Sequence, residues 1–534
     1  MSCSWCLVGL LGVVGQVPRP LTGEAVAREL ETSRRAILAS EAADLSELAD
    51  RLAGTGNVQA AREVRGRLPR EVAPDGPTQF VPLPDVVGPR PKGEVAAWRS
   101  QLAAIQGRFA SELFALAQRA AHAQPPRYAL ADRCLRGVLE RQPDHPEARR
   151  LLGYVPHAGG WARPFAVGQL QNGLVDHPVF GWVKSDWLPH LDRGELPAPQ
   201  VRGQKVRWLA AVDADRLRAG WKPPWQIFTE HFEVQTNLPL AEAISFGRRL
   251  EAFHDLFSAL MADLLGDNLP LARRFRDPAL VGEPTSKPHL VYYFGSKDEY
   301  AEHLSPRYGA EIAQSLGFYD PPRPGRGGRA PAYFFHDPGG QLPVTANLYH
   351  EVSHQLLFEM AGPNQYTKNY GNYWVFEGLG TYFETVEPQP DGSIEVGGLV
   401  GPRIAEAIKA LVDQGRAIPL AQFVALGEDA FKRDDSGIYL RYQEGMALTV
   451  FLMQARQGTY RDGFLDYVRD AYRGRIKRTT GRSLQDRLGQ PYATLEAQLL
   501  SFLKDGRGGA RHREPQPRVN PPGRGGSIRT VPGP

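Results

Sequence analysis

The pattern that most constrains this chain is His350-Glu351-Val352-Ser353-His354, an HExxH motif. On a helix, residues four apart lie one above the other. The two imidazoles therefore project from one face, with Glu351 one position round from the first. This offers two nitrogen ligands and a nearby carboxylate. A catalytic Zn²⁺ takes three protein ligands and keeps a fourth position for water, and a neighbouring glutamate can take the water's proton as it attacks a carbonyl. The flanks predict the helix this requires. Thr345, after Pro343, is the expected N-cap, Tyr349, Val352, Leu356 and Met360 recur at helical spacing, and Gly362-Pro363 is the expected stop.

The third ligand must come from a second element, and Glu377 in Trp374-Val375-Phe376-Glu377-Gly378 is the candidate. It follows His354 after 22 intervening residues, room for a loop and the first turn of a returning helix. Gly378 and Gly380 are expected to let that helix pack closely on the first. A bare HExxH fixes only three positions and also arises in ordinary helices, so the second helix is what turns the reading toward metal.

HEVSHQ followed by WVFEGLGTYFE resembles the gluzincin metallopeptidases, whose pattern is HExxH, a gap, then a W-x-x-E-G-x-x-x-Y-x-E helix carrying the third ligand. The closer resemblance is to the peptidase MA-like domains of unknown function that are numerous in planctomycete-type bacteria. It runs from about Trp225 to Leu503 and is most specific in the two helices. The resemblance implies Zn²⁺ held by His350, His354 and Glu377, with Glu351 as general base and Glu384 as a carboxylate supporting the ligands. Tyr442-Gln443-Glu444-Gly445 is similar to the Y-A-Q segment of such domains and implies Tyr442 as the donor to the developing oxyanion. Glu444 replaces a small residue there, which leaves Tyr439 open as the alternative. The aminopeptidase branch carries a Gly-x-Met-Glu-Asn segment before the motif that binds the free amine. None is visible here, so the expected activity is endopeptidase-like, on a peptide or protein substrate.

The fold expected around this centre is α+β. Residues 225–505 would form a thermolysin-like zincin domain: a small strand layer, the HExxH helix and a helical C-terminal half. IFTEHFEVQTN, Leu290–Phe294 and Pro331–Phe335 read as strands, and LAEAISFGRRLEAFHDLFSALMADLLG as a long amphipathic helix. By the resemblance, the third strand borders the cleft and would be open to backbone pairing with a peptide. Residues 22–155 read as a mostly helical region, tetratricopeptide-like after Arg127, with a Pro-rich link from Pro74 to Pro91. It would either bind a protein partner or serve as a packing platform. Residues 156–224 read as an irregular, β-containing connector in which His157, His177 and His190 stand singly, without ligand spacing. Residues 506–534 read as a disordered Gly/Pro/Arg-rich tail.

Composition narrows the function further. The net charge of +4 is concentrated in the tail, which holds six arginines from Gly506 onward against Glu514 alone. The remainder is close to neutral and gives no case for nucleic-acid binding. Of Cys3, Cys6 and Cys134, only the last lies beyond the N-terminal stretch, so no cysteine cluster competes for a metal. The apolar run Trp5 to Gly15 suits the core of a signal peptide over residues 1–20, predicting a secreted or periplasmic protein with no transmembrane helix in the mature chain. Without such a signal the protein would be cytoplasmic. The rival to the peptidase reading is a catalytically inactive zincin-like scaffold that binds a partner through its N-terminal helices.

Overall fold

The computed structural model describes residues 23–69, 75–89, 96–199, 205–221, 223–282, 287–322, 329–340, 342–361, 371–476, 483–510 and 527–528. The structure is α+β. The expected signal segment lies outside the described residues, among which no helix is long and apolar enough to cross a membrane.

The sheet's strands are, in chain order, Leu174–His177 (β1), Gly181–Lys184 (β2), Trp225–Phe228 (β3), Phe232–Thr236 (β4), His289–Phe294 (β5), Phe318–Tyr319 (β6), Ala332–Phe335 (β7) and Ser527–Ile528 (β8). Their lateral order is β6-β7-β5-β4-β3-β8-β2-β1. The alternation read from Trp225 onward becomes the β3-β4 hairpin, which buries Trp225, Ile227, Phe232, Val234 and Thr236. Strands β4, β5 and β7 run parallel, and β7 is buried along its whole length, as expected of a continuous apolar strand.

Two expectations need correction. β7 is not a wholly open edge, because β5 takes one side and β6 pairs antiparallel with the first half of the other, Phe318 opposite Tyr333 and Tyr319 opposite Ala332. The edge of the sheet belongs to β6, whose two residues carry no readable alternation. The tail also contributes structure. The last helix, Tyr492–Ala510, runs past residue 505, and β8 inserts between β3 and β2. Main-chain pairing needs no apolar pattern, so composition could not reveal it.

The N-terminal hairpin, Ala97–Ala121 with Tyr128–Arg141, closes over the fully buried Ala110, Ala117, Ala120 and Ala131. The next helix starts at Pro146, capped by the His145 ring, whose Nδ1 accepts the Ala148 N–H at 3.2 Å. The hairpin's buried face is continuous with the main core. Arg127 pairs with Asp466 at 3.1 Å, both buried, and Arg136 contacts Asp132 at 2.7 Å and Asp255 at 3.5 Å. This face is a packing platform. The Pro-rich stretch is likewise no free link, since Thr78–Phe80 pairs with Ile394–Val396 and Val86–Val87 pairs with Gly160–Ala162.

Two of the isolated histidines of the connector, His177 and His190, have local roles. His190 contacts Glu195 at 2.6 Å and stacks on Trp208, and the His177 ring accepts the backbone N–H groups of Val179 and Phe180. Burial pushes the Cys134 thiol up to about 12, which leaves it an inert apolar filler.

Candidate metal centre

The motif helix is Val344–Ala361. It begins two residues earlier than the expected Thr345 cap would place it. The Pro343 carbonyl accepts the Asn347 N–H at 3.1 Å, and Thr345 lies inside the first turn. The expected stop at Gly362-Pro363 is outside the described residues. Leu348, Tyr349, Val352, Leu356 and Leu357 form its buried side. Tyr349 packs on Phe253 of the long helix Leu240–Leu260, which also meets Phe383 of the returning helix. Gln355, just after the second histidine, donates its amide N–H to the carbonyls of Leu290 at 3.0 Å and Ala330 at 3.2 Å. The motif is thereby tied to β5 and to the approach to β7.

The returning helix, Tyr373–Phe383, departs from Asn372, which has a left-handed φ of 62° and accepts a hydrogen bond from the Tyr467 hydroxyl. Its glycines divide their work. A Cβ on Gly380 would lie 2.8 Å from the Cε1 and Nε2 atoms of His350. A Cβ on Gly378 would instead lie 2.5 Å from Thr449 Oγ1 on the helix Ile438–Gly458. Positions two apart fall on nearly opposite sides of a helix, so only Gly380 faces the motif; the pairing of both glycines with the first helix is corrected. Gly380→Ala is expected to displace the His350 ring and weaken metal binding by about 10 to 100-fold, the range typical of disturbing a ligand's support. Gly378→Ala should lower thermal stability instead. Metal titration and thermal unfolding of both variants would check this.

The structure brings the three expected ligands together in a buried group. The Nε2 atoms of His350 and His354 are 3.1 Å apart, and Glu377 Oε2 is 3.5 Å from the first and 3.8 Å from the second. His350 Nδ1 donates to Glu384 Oε1 at 2.9 Å, so that Nε2 is the nitrogen directed inward. Glu384 Oε2 in turn accepts from Arg403 Nε at 2.7 Å. The His354 ring lies flat on Phe376, with centroids 3.8 Å apart and planes 4° apart. Two imidazole nitrogens face each other beside a carboxylate oxygen, an arrangement that a shared cation satisfies. This group could hold a metal ion.

The electrostatics agree. Burial opposes a charge on His350, but Glu377 and Glu384 outweigh it and hold the ring up to about 10. Burial, only partly offset by Glu377, pushes His354 down to about 4. Glu377 is buried too, yet the two histidines keep it well below the usual carboxylate range. A metal would replace the proton held here, so its binding should release protons.

Glu351 is half-buried beside the group. Burial pushes its carboxyl up to about 7, while the charge on His350 and the backbone N–H of Tyr319 on β6 pull the other way. Tyr442 is half-buried with Glu377 close enough to act on its hydroxyl, whereas Tyr439 is 74 % exposed; of the two tyrosines, it is Tyr442 that faces the group. Glu444 points away into the core, where its Oε2 accepts the Ile418 N–H at 3.0 Å.

Three further side chains were missed from the sequence. Tyr373 donates its hydroxyl to Glu377 Oε1 at 2.8 Å, and Lys432 Nζ is 3.8 Å from the same oxygen. Arg403 holds Glu384 and lies 5.8 Å from the Tyr442 ring centre. Tyr373 was legible in principle, four residues before Glu377 on one helix face. Arg403 and Lys432 come from segments that no local spacing links to the motif.

Comparison with curated proteins gives no match to this chain. Residues 344–474, which carry both helices of the candidate ligands together with Arg403, Lys432 and Tyr442, match a family described as "Protein of unknown function (DUF1570)".

Proposed function

We propose that the protein is a zinc-dependent metallopeptidase of thermolysin-like zincin type, hydrolysing internal bonds of peptide or protein substrates. The observation that carries this reading is the convergence of His350 Nε2, His354 Nε2 and Glu377 Oε2 with Glu351 beside them. Two nitrogens and one carboxylate oxygen make a donor set suited to catalytic Zn²⁺. When bound, zinc supplies Lewis acidity, which makes a water more acidic and polarises a substrate carbonyl.

The chain's own residues do the rest. Glu351 accepts the proton of the attacking water and returns it to the leaving amine. Tyr442, beside Glu377, donates its hydroxyl to the carbonyl oxygen as negative charge develops there. Arg403 and Glu384 fix the His350 tautomer, and Tyr373 fixes the outer oxygen of Glu377. Digestion of a mixed peptide library by zinc-loaded protein, with cut positions read by mass spectrometry, tests the reading. Cleavage at internal bonds that is abolished by chelation is expected. Bound zinc without hydrolysis would favour the inactive scaffold.

A further inference from the structure

Lys432 occupies a position that metal holding does not explain. Its Nζ is 3.8 Å from Glu377 Oε1, 3.4 Å from Glu428 Oε1 and 5.1 Å from the centre of the Tyr373 ring, and the side chain is 45 % exposed. A fixed positive charge beside a ligand carboxylate competes with the metal for that carboxylate and repels the metal itself. Yet the backbone on either side of the lysine is clamped. Arg441, itself buried, donates to the Phe431 carbonyl at 2.6 Å and to the Arg433 carbonyl at 2.5 Å, and pairs with Asp435 at 2.9 Å. Phe431 is fully buried against Tyr373, Phe423 and Tyr442. The ammonium is thus presented from a rigid wall, next to the buried ligands and reachable from solvent.

Resting on the peptidase reading, we propose that Lys432 is a specificity-determining residue that binds a carboxylate of the substrate close to the bond being cut. An ammonium has three donors, of which Glu428 engages one in this arrangement, and the charge stands over the Tyr373 ring. Arg403, a second cation near the site among the described residues, gives its Nε–H to Glu384. For cleavage at internal bonds that carboxylate is an acidic side chain, and a chain terminus is the other source of the same chemistry.

The test uses zinc-loaded full-length protein and two probes, propanohydroxamic acid and succinic monohydroxamic acid. Both offer a metal-binding hydroxamate, and the second adds one carboxylate. Calorimetry is expected to show about tenfold tighter binding of the succinyl probe, the size of one charge-assisted hydrogen bond. That preference should vanish in Lys432→Met and partly return in Lys432→Arg. Equal affinities in the unmutated protein, or a preference that survives Lys432→Met, would overturn the proposal. Loss of zinc from Lys432→Met would also overturn it, by showing that the lysine positions Glu377. A preference that depends on Lys432 in a protein that cleaves no peptide would sink the peptidase reading while sustaining the carboxylate site. Where peptides are cleaved, free-acid against amidated termini, and Glu against Gln beside the cut, identify the source. Indifference to both pairs counts against the proposal.

Discussion

Glu351→Gln is expected to keep its zinc and lose nearly all peptide hydrolysis, by about 10² to 10⁴-fold in kcat/KM, the usual contribution of a general base. The amide keeps the size of the side chain and can still face the Tyr319 N–H, but it cannot take a proton. Glu351 is not one of the three converging ligands, so metal content should not follow activity down. Tyr442→Phe separates the second role. The ring would keep its place against Phe431, while loss of the hydroxyl should lower kcat by roughly 10², as for other oxyanion donors. Tyr439→Phe is the control, because that side chain points into solvent. If Glu351→Gln cleaves peptides as fast as the unmutated protein, the peptidase assignment fails, whatever the metal analysis says.

The second large effect is on metal content. The unmutated protein should carry about one zinc per chain, as a donor set of three protein ligands implies. Glu377→Ala should bring this close to zero after dialysis. It removes the only carboxylate among the converging ligands and strips Tyr373 of its acceptor. Glu384→Ala should be milder, weakening affinity by about 10 to 100-fold, because Glu384 acts on the outer nitrogen of His350. Elemental analysis of the three proteins side by side decides the order. Unchanged zinc in Glu377→Ala would mean that this carboxylate is not a ligand.

The chemistry of the centre was legible because it is local. His350, Glu351 and His354 lie within five consecutive positions, and helical periodicity alone places two rings on one face with a carboxylate beside them. The returning helix could be read for the same reason, from Glu377 and its apolar neighbours. So could Tyr373, had the four-residue spacing been extended backward from Glu377. The strands at β3, β4, β5 and β7 announced themselves through alternation or continuous apolar runs.

What sequence could not supply was pairing across distance. Nothing in Phe318-Tyr319 says that these two residues cap β7 and bring a backbone N–H to Glu351. Nothing near Gly378 says that it faces Thr449 while Gly380 faces His350. The helical hairpin offered two roles that composition could not separate, and burial of Arg127 against Asp466 shows its inner face packed on the core. By itself, then, the sequence determined which atoms are available as ligands and base, since those depend on residue type and a period of 3.6. The tertiary structure decided which of two tyrosines reaches Glu377, which strand edge is free, and that Arg403 and Lys432 stand at the site. Those contacts join segments tens of residues apart, and only packing of the whole core brings them together.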